Sequence, residues 1–557
     1  MNKKSVLFGL TAATALLLSA CSTGGGDTAD SGSKGGSDKL ADEQVMTYVE
    51  SAMMPTADLS VATDNTSFLA LNAVYEGLYR VDADQQVTPG GAAELAEVSE
   101  DGLTYKIKLR EDAKWSNGDP VTAADYVFGW QRTVDPKTAS QYAYLYAPVK
   151  NATAIAEGKA KVTDLGIKAV SDYELEIDLD VATPYFDYLL AFPSFFPQHQ
   201  STVEEFGDDY AMTSENAVYN GPFTLDGFDG PGSDTEWSYK KNPDYWDADT
   251  VKMDEVKVTV VTEASTGLNL FQDGQADYTV VSGELAQQLA GDPSFVTVPE
   301  GTTAYLEMNQ NDENSPFRNA NLRKAISAAI DRPSFVTNIL ANGSVPAPGL
   351  VPGGLAVDAD GKEFTEATDV EGFEFDKDAA GKYWEKAKEE LGIDSLEFEV
   401  LSDDTEGARK TVEYLQGAIQ DALPGVKVKV ANVPFAVRLD RSTAGDFDTV
   451  VSLWGADYAD PSSFLDLFTT DNSYNRGGWS NAEYDKLIKD AATTNANDPA
   501  KRWANLVDAE NIMSSELGVL PLYQRSQATM QSQNLHGIAE HASGVKTDFK
   551  WAYFTEE

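Results

Sequence analysis

The chain has 557 residues, too many for one small core, so two or three domains are expected. Charged residues at 24% and hydrophobic residues at 42% describe a soluble globular protein and argue against a disordered or membrane-spanning one. Asp and Glu number 90 against 42 Lys and Arg, and the resulting formal charge of −48 repels nucleic acid and anionic lipid.

The N-terminus sets the expected address. Lys3 and Lys4 precede an apolar run of signal-peptide length, VLFGLTAATALLLSA, which is short for a membrane span. The run ends in Leu18-Ser19-Ala20-Cys21, and Cys21 is the only cysteine, so no intrachain disulfide can form. Residues 22–39 are Gly, Ser and Asp without hydrophobic periodicity. This composition predicts a flexible tether with a mean reach of roughly 23 Å.

From Gln44 the pattern is mixed α/β. A strand is predicted over QVMTYV and a helix over TSFLALNAVYEG. Alternating Leu103, Tyr105, Ile107 and Leu109 predict a strand, and Thr122 is a helix N-cap. KAVSDYELEIDL alternates again, and TPYFDYLLAF begins a helix after Pro184. Further on, STGLNLFQDGQ, NANLRKAISAAIDR, GARKTVEYLQGAIQDAL, NAEYDKLIKDAA and the run from Pro499 to Glu516 read as helices. AYLEMNQ, SLEFEVLSD and KVKVANV read as strands. Short strands separated by helices of ten or more residues indicate α/β units.

The stretch that carries most chemistry is VVSLWGADYADPSSFLDLF, residues 450–468. An apolar run containing Val451 and Trp454 stops at Gly455. Two carboxylates, Asp457 and Asp460, then bracket Tyr458 before Pro461. A buried strand that delivers a carboxylate and aromatics into a bend can present one charged anchor to a ligand; the same residues also suit an ordinary strand-to-helix turn. The segments QYAYLYAP (Tyr142, Tyr144, Tyr146) and FPSFFP could line a cleft or simply pack.

Catalytic and metal frameworks are missing. The sequence has no GxSxG, HExxH, Walker loop or GxGxxG after a strand. Asp376 and Asp378 start like a calcium loop that lacks its closing Glu. His536 and His541 flank Glu540 as a possible metal pair, and read more readily as ordinary surface histidines. No metal and no cofactor are expected.

Several blocks resemble known proteins. Leu18–Cys21 resembles the lipobox of bacterial lipoproteins. That resemblance implies cleavage before Cys21 and acylation of its sulfur, with two acyl chains giving stable anchoring. LAEVSEDGLTYKIKLREDAKWSNGDPVTAADYVFGWQR, YNGPFTL with KNPDYWD, and MNQNDENSPFRNANLRKAISAAIDR resemble the extracellular solute-binding proteins of the oligopeptide and dipeptide ABC-transporter family. With residues 450–468 they follow that family's order and spacing. The likeness is nearest to the oligopeptide-binding lipoproteins of Gram-positive bacteria.

The resemblance implies a two-lobed, periplasmic-binding-protein-like α/β fold with crossover strands and an extra domain inserted in the first lobe. Lobe one would comprise 41–80, 207–303 and 525–557, the insertion 81–206, and lobe two 304–524. It implies a monomeric, non-catalytic receptor that delivers oligopeptides to a permease pair and ATPases. The matching residue for the aspartate that pairs with the peptide's amino group is Asp457. Gly455 would offer backbone, and Trp454, Tyr458, Tyr142 and Tyr144 would wall pockets. Asn220, in the second block, is placed on the same surface. Val451 stands where enteric members carry an arginine that binds the C-terminus of short peptides, so strict tripeptide selection is not expected. Another solute, such as an oligosaccharide or a metal complex, and a carboxylate-based hydrolase remain the alternatives.

Overall fold

Two strands longer than all others, Phe295–Met308 and Leu520–Gln531, run through the middle of one eleven-stranded sheet. The structure is a computed structural model that describes residues 39–556; Cys21 and most of the tether lie outside the described residues. The two long strands pair antiparallel. Their register slips between Pro299 and Thr303 and again between Ala304 and Tyr305.

The order across one edge is Val426–Val433, Leu396–Asp403, Thr449–Gly455, then Phe295–Met308. Across the other it runs Leu520–Gln531, Tyr278–Val281, Val45–Glu50, Glu255–Val260, Glu236–Lys241, Phe223–Asp226. Val45–Glu50 is parallel to both its neighbours, as Leu396–Asp403 is to its own.

Each half of the sheet has its own helices. In the first-named half, Asn319 and Thr405 cap Ala320–Ala328 and Glu406–Ala422 by accepting the backbone N–H groups of Leu322 and Ala408. Val412, Leu415 and Ile419 recur at helical spacing. They pack with Leu322, Ile326 and Trp384 against Ala304, Leu306, Phe398 and Val400. A separate four-stranded sheet, Glu97–Val98, Thr104–Lys108, Glu174–Asp178 and Ile167–Ser171, stands apart from the large one. The helix Ala123–Val134 accompanies it. That helix starts at a capping box in which Asp125 Oδ2 accepts the Thr122 N–H at 2.7 Å.

Most predicted elements are present within a residue or two. Three differ. KAVSDYELEIDL is a hairpin that turns at Asp172-Tyr173. TPYFDYLLAF holds only one α-helical turn, Phe186–Leu189. The strand expected from Ala304 starts at Phe295, and Leu520–Gln531 was not expected at all. Pro299, Glu300 and Gly301 read as breakers, and they do break the ladder, but the chain stays extended through the slip. Gly301 is required there: a Cβ would sit 2.3 Å from the Ala542 carbonyl oxygen. The buried Glu300 carboxylate meets Lys546 at 3.1 Å and Arg525 at 3.5 Å, so charge is neutralised where backbone pairing is lost.

Candidate functional site

Thr449–Gly455 pairs antiparallel with Phe295–Met308, with Thr303 opposite Trp454 and Tyr305 opposite Ser452. Residues directly opposite share a face. One face therefore carries Thr303, Tyr305, Glu307, Ser452 and Trp454. The other carries Ala304, Leu306, Val451 and Leu453, which join the hydrophobic core of that half. The strand ends at Gly455, and two residues later the chain places Asp457 beyond the sheet.

The two acids of the bend have different surroundings. Asp460 is held bidentately by Arg502, at 2.7 Å to each oxygen, and accepts the Ser462 N–H. It fixes the turn into Ser462–Leu465. Asp457 is buried, yet among the described residues no Lys, Arg or His nitrogen lies within 4 Å of its carboxylate. Tyr142 Oη donates to Oδ1 at 3.2 Å and Tyr144 Oη to Oδ2 at 3.4 Å, while its own N–H donates to Ser463 Oγ at 2.8 Å. A carboxylate can accept about four hydrogen bonds, so about two sites remain. Burial pushes its pKa up to about 8, with the two phenols and the charge of Lys546 only partly opposing. Burial, and then Asp457 itself, hold both phenols well above their ordinary value, so they remain donors.

Aromatic rings join the two walls around this acid. Tyr142 lies parallel to Trp454 with centroids 6.2 Å apart, and Tyr185 stacks on Tyr458 at 4.1 Å. Tyr474 meets Trp454 edge-on at 4.7 Å and also touches Tyr142 and Tyr144. Tyr144 and Tyr458 line a cavity of about 220 Å³ with Tyr185, Asp466 and Arg502. Tyr142, Tyr144, Trp454, Tyr458 and Asp457, all singled out in the sequence, are thus brought together.

Two other candidates, Val451 and Asn220, are placed away from this cluster, and Gly455 has a packing role beside it, for physical reasons. Val451 pairs with Leu306 and faces the core, away from Trp454 and Ser452, so it does not line the cleft. Asn220 is saturated by one backbone residue: its Nδ2 donates to the Glu76 carbonyl at 3.0 Å and its Oδ1 accepts the Glu76 N–H at 3.1 Å. It fixes the chain after the helix Asn65–Val74. A Cβ on Gly455 would lie 2.8 Å from Lys546 Cε, so this glycine makes room for the lysine that reaches Glu300. Cys21 lies outside the described residues.

Sequence reasoning missed Tyr185, Ser463, Tyr474 and two arginines, Arg438 and Arg476. Ser463 lies within the 450–468 stretch, six residues from Asp457, whereas long-range packing brings up the other four and nothing in their local spacing marks them. Tyr474, Arg438 and Arg476 belong to a group with an unusual property. Thr303 Oγ1, Ser452 Oγ, Trp454 Nε1, Tyr474 Oη, Glu307 Oε2, Arg438 Nε and Arg476 Nε are sealed from solvent without a hydrogen-bond partner. About 90% or more of buried polar groups in folded proteins are paired. A row of unpaired donors and acceptors beside one strand, ending at a carboxylate without a cation, can receive a guest that has a polar main chain and a cationic end.

Comparisons with known proteins agree with this geometry. Residues 86–476 match the family model of the bacterial extracellular solute-binding proteins, family 5 middle. A dipeptide-binding protein of Lactococcus lactis subsp. cremoris is 36% identical over 89% of this chain and 92% of its own. The oligopeptide-binding protein OppA of Bacillus subtilis is 32% identical over the full length of both. The structure of Listeria monocytogenes OppA bound to peptide superposes with a TM-score of 0.88 at 43% identity, covering 93% of this chain and all of that one. The mixed α/β fold is that of the two-lobed OppA-type solute-binding proteins on which it superposes. The chain belongs to family 5 of the bacterial extracellular solute-binding proteins.

Proposed function

We propose that this protein is a membrane-tethered receptor that captures oligopeptides between two lobes and delivers them to an ABC importer. The observation that carries the reading is Asp457, a buried carboxylate without a cation at the end of a strand flanked by unpaired polar atoms. A peptide's α-amino group has a pKa near 8 and is cationic at neutral pH. Placed at Asp457 it forms a charge-assisted bond to the two remaining acceptor sites, in a setting where Tyr142 and Tyr144 already orient the carboxylate. The peptide main chain then runs along the open edge of the Ser452–Gly455 end of this strand, beyond the residues that pair with Leu396–Asp403, so affinity comes mostly from backbone contacts and side-chain selection is loose.

Lobe one is 41–80, 207–303 and 525–557, lobe two 304–524, and the inserted domain 81–206. The boundaries at 303 and 524 fall inside the two long strands, beside the register slip. Few pairs constrain the backbone there, and a hinge can bend. The receptor performs no chemistry on its ligand. It acts as a monomer, tethered through the lipid on Cys21, and a permease pair with two ATPases supplies transport. The test is to denature the purified protein and identify released molecules by mass spectrometry. Co-purified peptides with free amino termini support the reading; release of another solute class, or turnover of an added peptide, overturns it.

A further inference from the structure

Among the described residues four arginines are buried: Arg80, Arg323, Arg332 and Arg438. A buried guanidinium without partners is strongly destabilising, so each should be accounted for. Arg80 is paired with Asp548 at 2.8 Å and with Glu76 at 3.2 Å. Arg323 donates to the carbonyls of Glu516, Phe317 and Arg318. Arg332 donates to those of Pro521, Phe373 and Ser327.

Arg438 has no such partners. Its side chain donates no hydrogen bond to any described residue, and no carboxylate lies within 4 Å of it. Its guanidinium lies over the ring of Phe435, one turn back in the same helix, Phe435–Thr443, 5.3 Å from the centroid. The other cation facing this region is Arg476. It lies over the Tyr474 ring at 4.8 Å, donates to Gln141 Oε1 of the opposite wall at 3.1 Å, and has an unpaired, sealed Nε. The charges of both guanidiniums reach the Tyr305 phenol and each other. Three acids are near. Asp64 Oδ1 accepts the Ser67 N–H as a helix cap. Asp403 accepts both Thr405 N and Oγ1. Glu307 Oε1 accepts the Gly477 N–H. One oxygen each of Asp64 and Glu307 serves the backbone while Asp64 Oδ2 and Glu307 Oε2 are sealed without a partner, and none of the three acids comes within 4 Å of Arg438.

We propose that Arg438, assisted by Arg476, is the seat for a carboxylate of the bound peptide. This rests on the reading that the peptide's amino group sits at Asp457. Five donors in a planar fork suit a carboxylate bidentately, which a lysine could not match. The position also indicates length. Tyr305 is opposite Ser452, five residues before Asp457, and an extended strand rises about 3.3 Å per residue. A peptide paired along this strand brings the carboxylate of about its fourth or fifth residue to Arg438. That group is the C-terminus of a tetra- or pentapeptide, or an Asp or Glu side chain of a longer one.

The test uses isothermal titration of the purified chain with tetra- and penta-alanine, their C-terminal amides, their N-acetyl forms, and the pair Ala-Ala-Ala-Glu-amide and Ala-Ala-Ala-Gln-amide. The wild type should bind at least one free acid tenfold or more tighter than its neutral partner. A gain for the C-terminal acid identifies the terminus as the source; a gain for Glu over Gln identifies a side chain. Arg438→Gln should bring that ratio close to one and leave the neutral peptides unchanged, and Arg438→Lys should keep only part of it. Acid and amide bound equally by the wild type overturn the seat, and need no variant. So does an Arg438→Gln loss that is equal for both, which would make Arg438 a lobe-to-lobe contact with Asp64. Silent amidation together with damaging N-acetylation leaves the peptide reading standing without the seat. A wild type that binds none of these peptides overturns both.

Discussion

Asp457→Asn removes the charge on which the peptide reading depends, and its magnitude can be worked from the site. An aspartate ordinarily titrates at 3.8, whereas here burial pushes Asp457 up to about 8. Closing the walls over it at pH 7 without a cation therefore means taking up a proton against a gap of roughly three pH units. At about 1.36 kcal/mol per unit this is about 4 kcal/mol. The figure agrees with the 3–5 kcal/mol typical of breaking a buried ion pair. An ammonium group delivered by the ligand removes that cost; an acetylated amine does not. In the wild type, penta-alanine should thus bind roughly 10²- to 10³-fold tighter than N-acetyl-penta-alanine at pH 7 in calorimetric titration. In Asp457→Asn the ratio should fall below about tenfold, chiefly because the free-amine peptide weakens. The pH dependence has opposite signs for the two ligands. A raised pKa in the closed form favours closure as pH falls from 8 to 4, so the acetylated peptide should gain affinity over that interval. The free-amine peptide should stay nearly level, because its complex keeps Asp457 ionised. Equal losses for both peptides in the variant, or parallel pH profiles in the wild type, would refute the argument.

Three further outcomes separate binding groups from structural ones. Asn220→Ala leaves the Glu76 backbone N–H and carbonyl unpaired in a buried site. It should cost about 2–3 kcal/mol of stability, read as a lower melting temperature, with unchanged peptide affinity per folded molecule. Tyr142→Phe deletes one of two phenols on Asp457 and should weaken free-amine peptides about three- to tenfold in titration, at near-native stability. Asp548→Asn strips Arg80 of its main partner and should cost about 3–5 kcal/mol in denaturant unfolding. Burial acts to raise the Asp548 pKa, but Arg80 overrides it and holds the carboxyl low. Its contribution is therefore present above pH 4 and lost as pH falls through the depressed value, so wild-type and variant stabilities should converge toward low pH.

The parts of this protein that are legible in its sequence are those decided locally. Alternation at Leu103–Leu109, helical spacing at Val412, Leu415 and Ile419, and the Thr122 cap all give the right elements. Asp376, which starts like a calcium loop, is explained by the same local rule: it caps Lys377–Leu391 by accepting the Ala379 N–H. The residues around Asp457 are legible as an acidic bend, and only the resemblance singles out Asp457 over Asp460. What separates their surroundings is distant in the chain: Arg502, 42 residues onward from Asp460, reaches Asp460, whereas the phenols of Tyr142 and Tyr144 reach Asp457. Val451 misled because likeness to relatives marks a position, whereas the face it occupies depends on pairing with Leu306. The crossing strands were hidden for a related reason. Their break at Pro299–Gly301 looks like a loop, and only the neighbouring strands, far away in the chain, keep it extended.

On the proposed reading, the same distant packing lets a chain with a formal charge of −48 select a cation at one point and a carboxylate at another. A field of that sign draws in any positive ligand, but salt screens it beyond about 8 Å at physiological strength, so it can steer but cannot discriminate. Discrimination needs charges removed from water and left unpaired by the protein itself. Many charges are paired within the protein: Arg80, Arg132 and Arg502 each hold an acid, and Glu300 holds two cations at the slip in the ladder. Asp457 and Arg438, like the buried acids Asp64, Glu307 and Glu510, have no ion-pair partner within 4 Å among the described residues, and on the proposed reading a peptide of about four or five extended residues spans the first two. Two uncompensated charges of opposite sign raise the free energy of closure until one zwitterionic guest spans both. The closed form is then favoured by a ligand with both ends in place, and by few others.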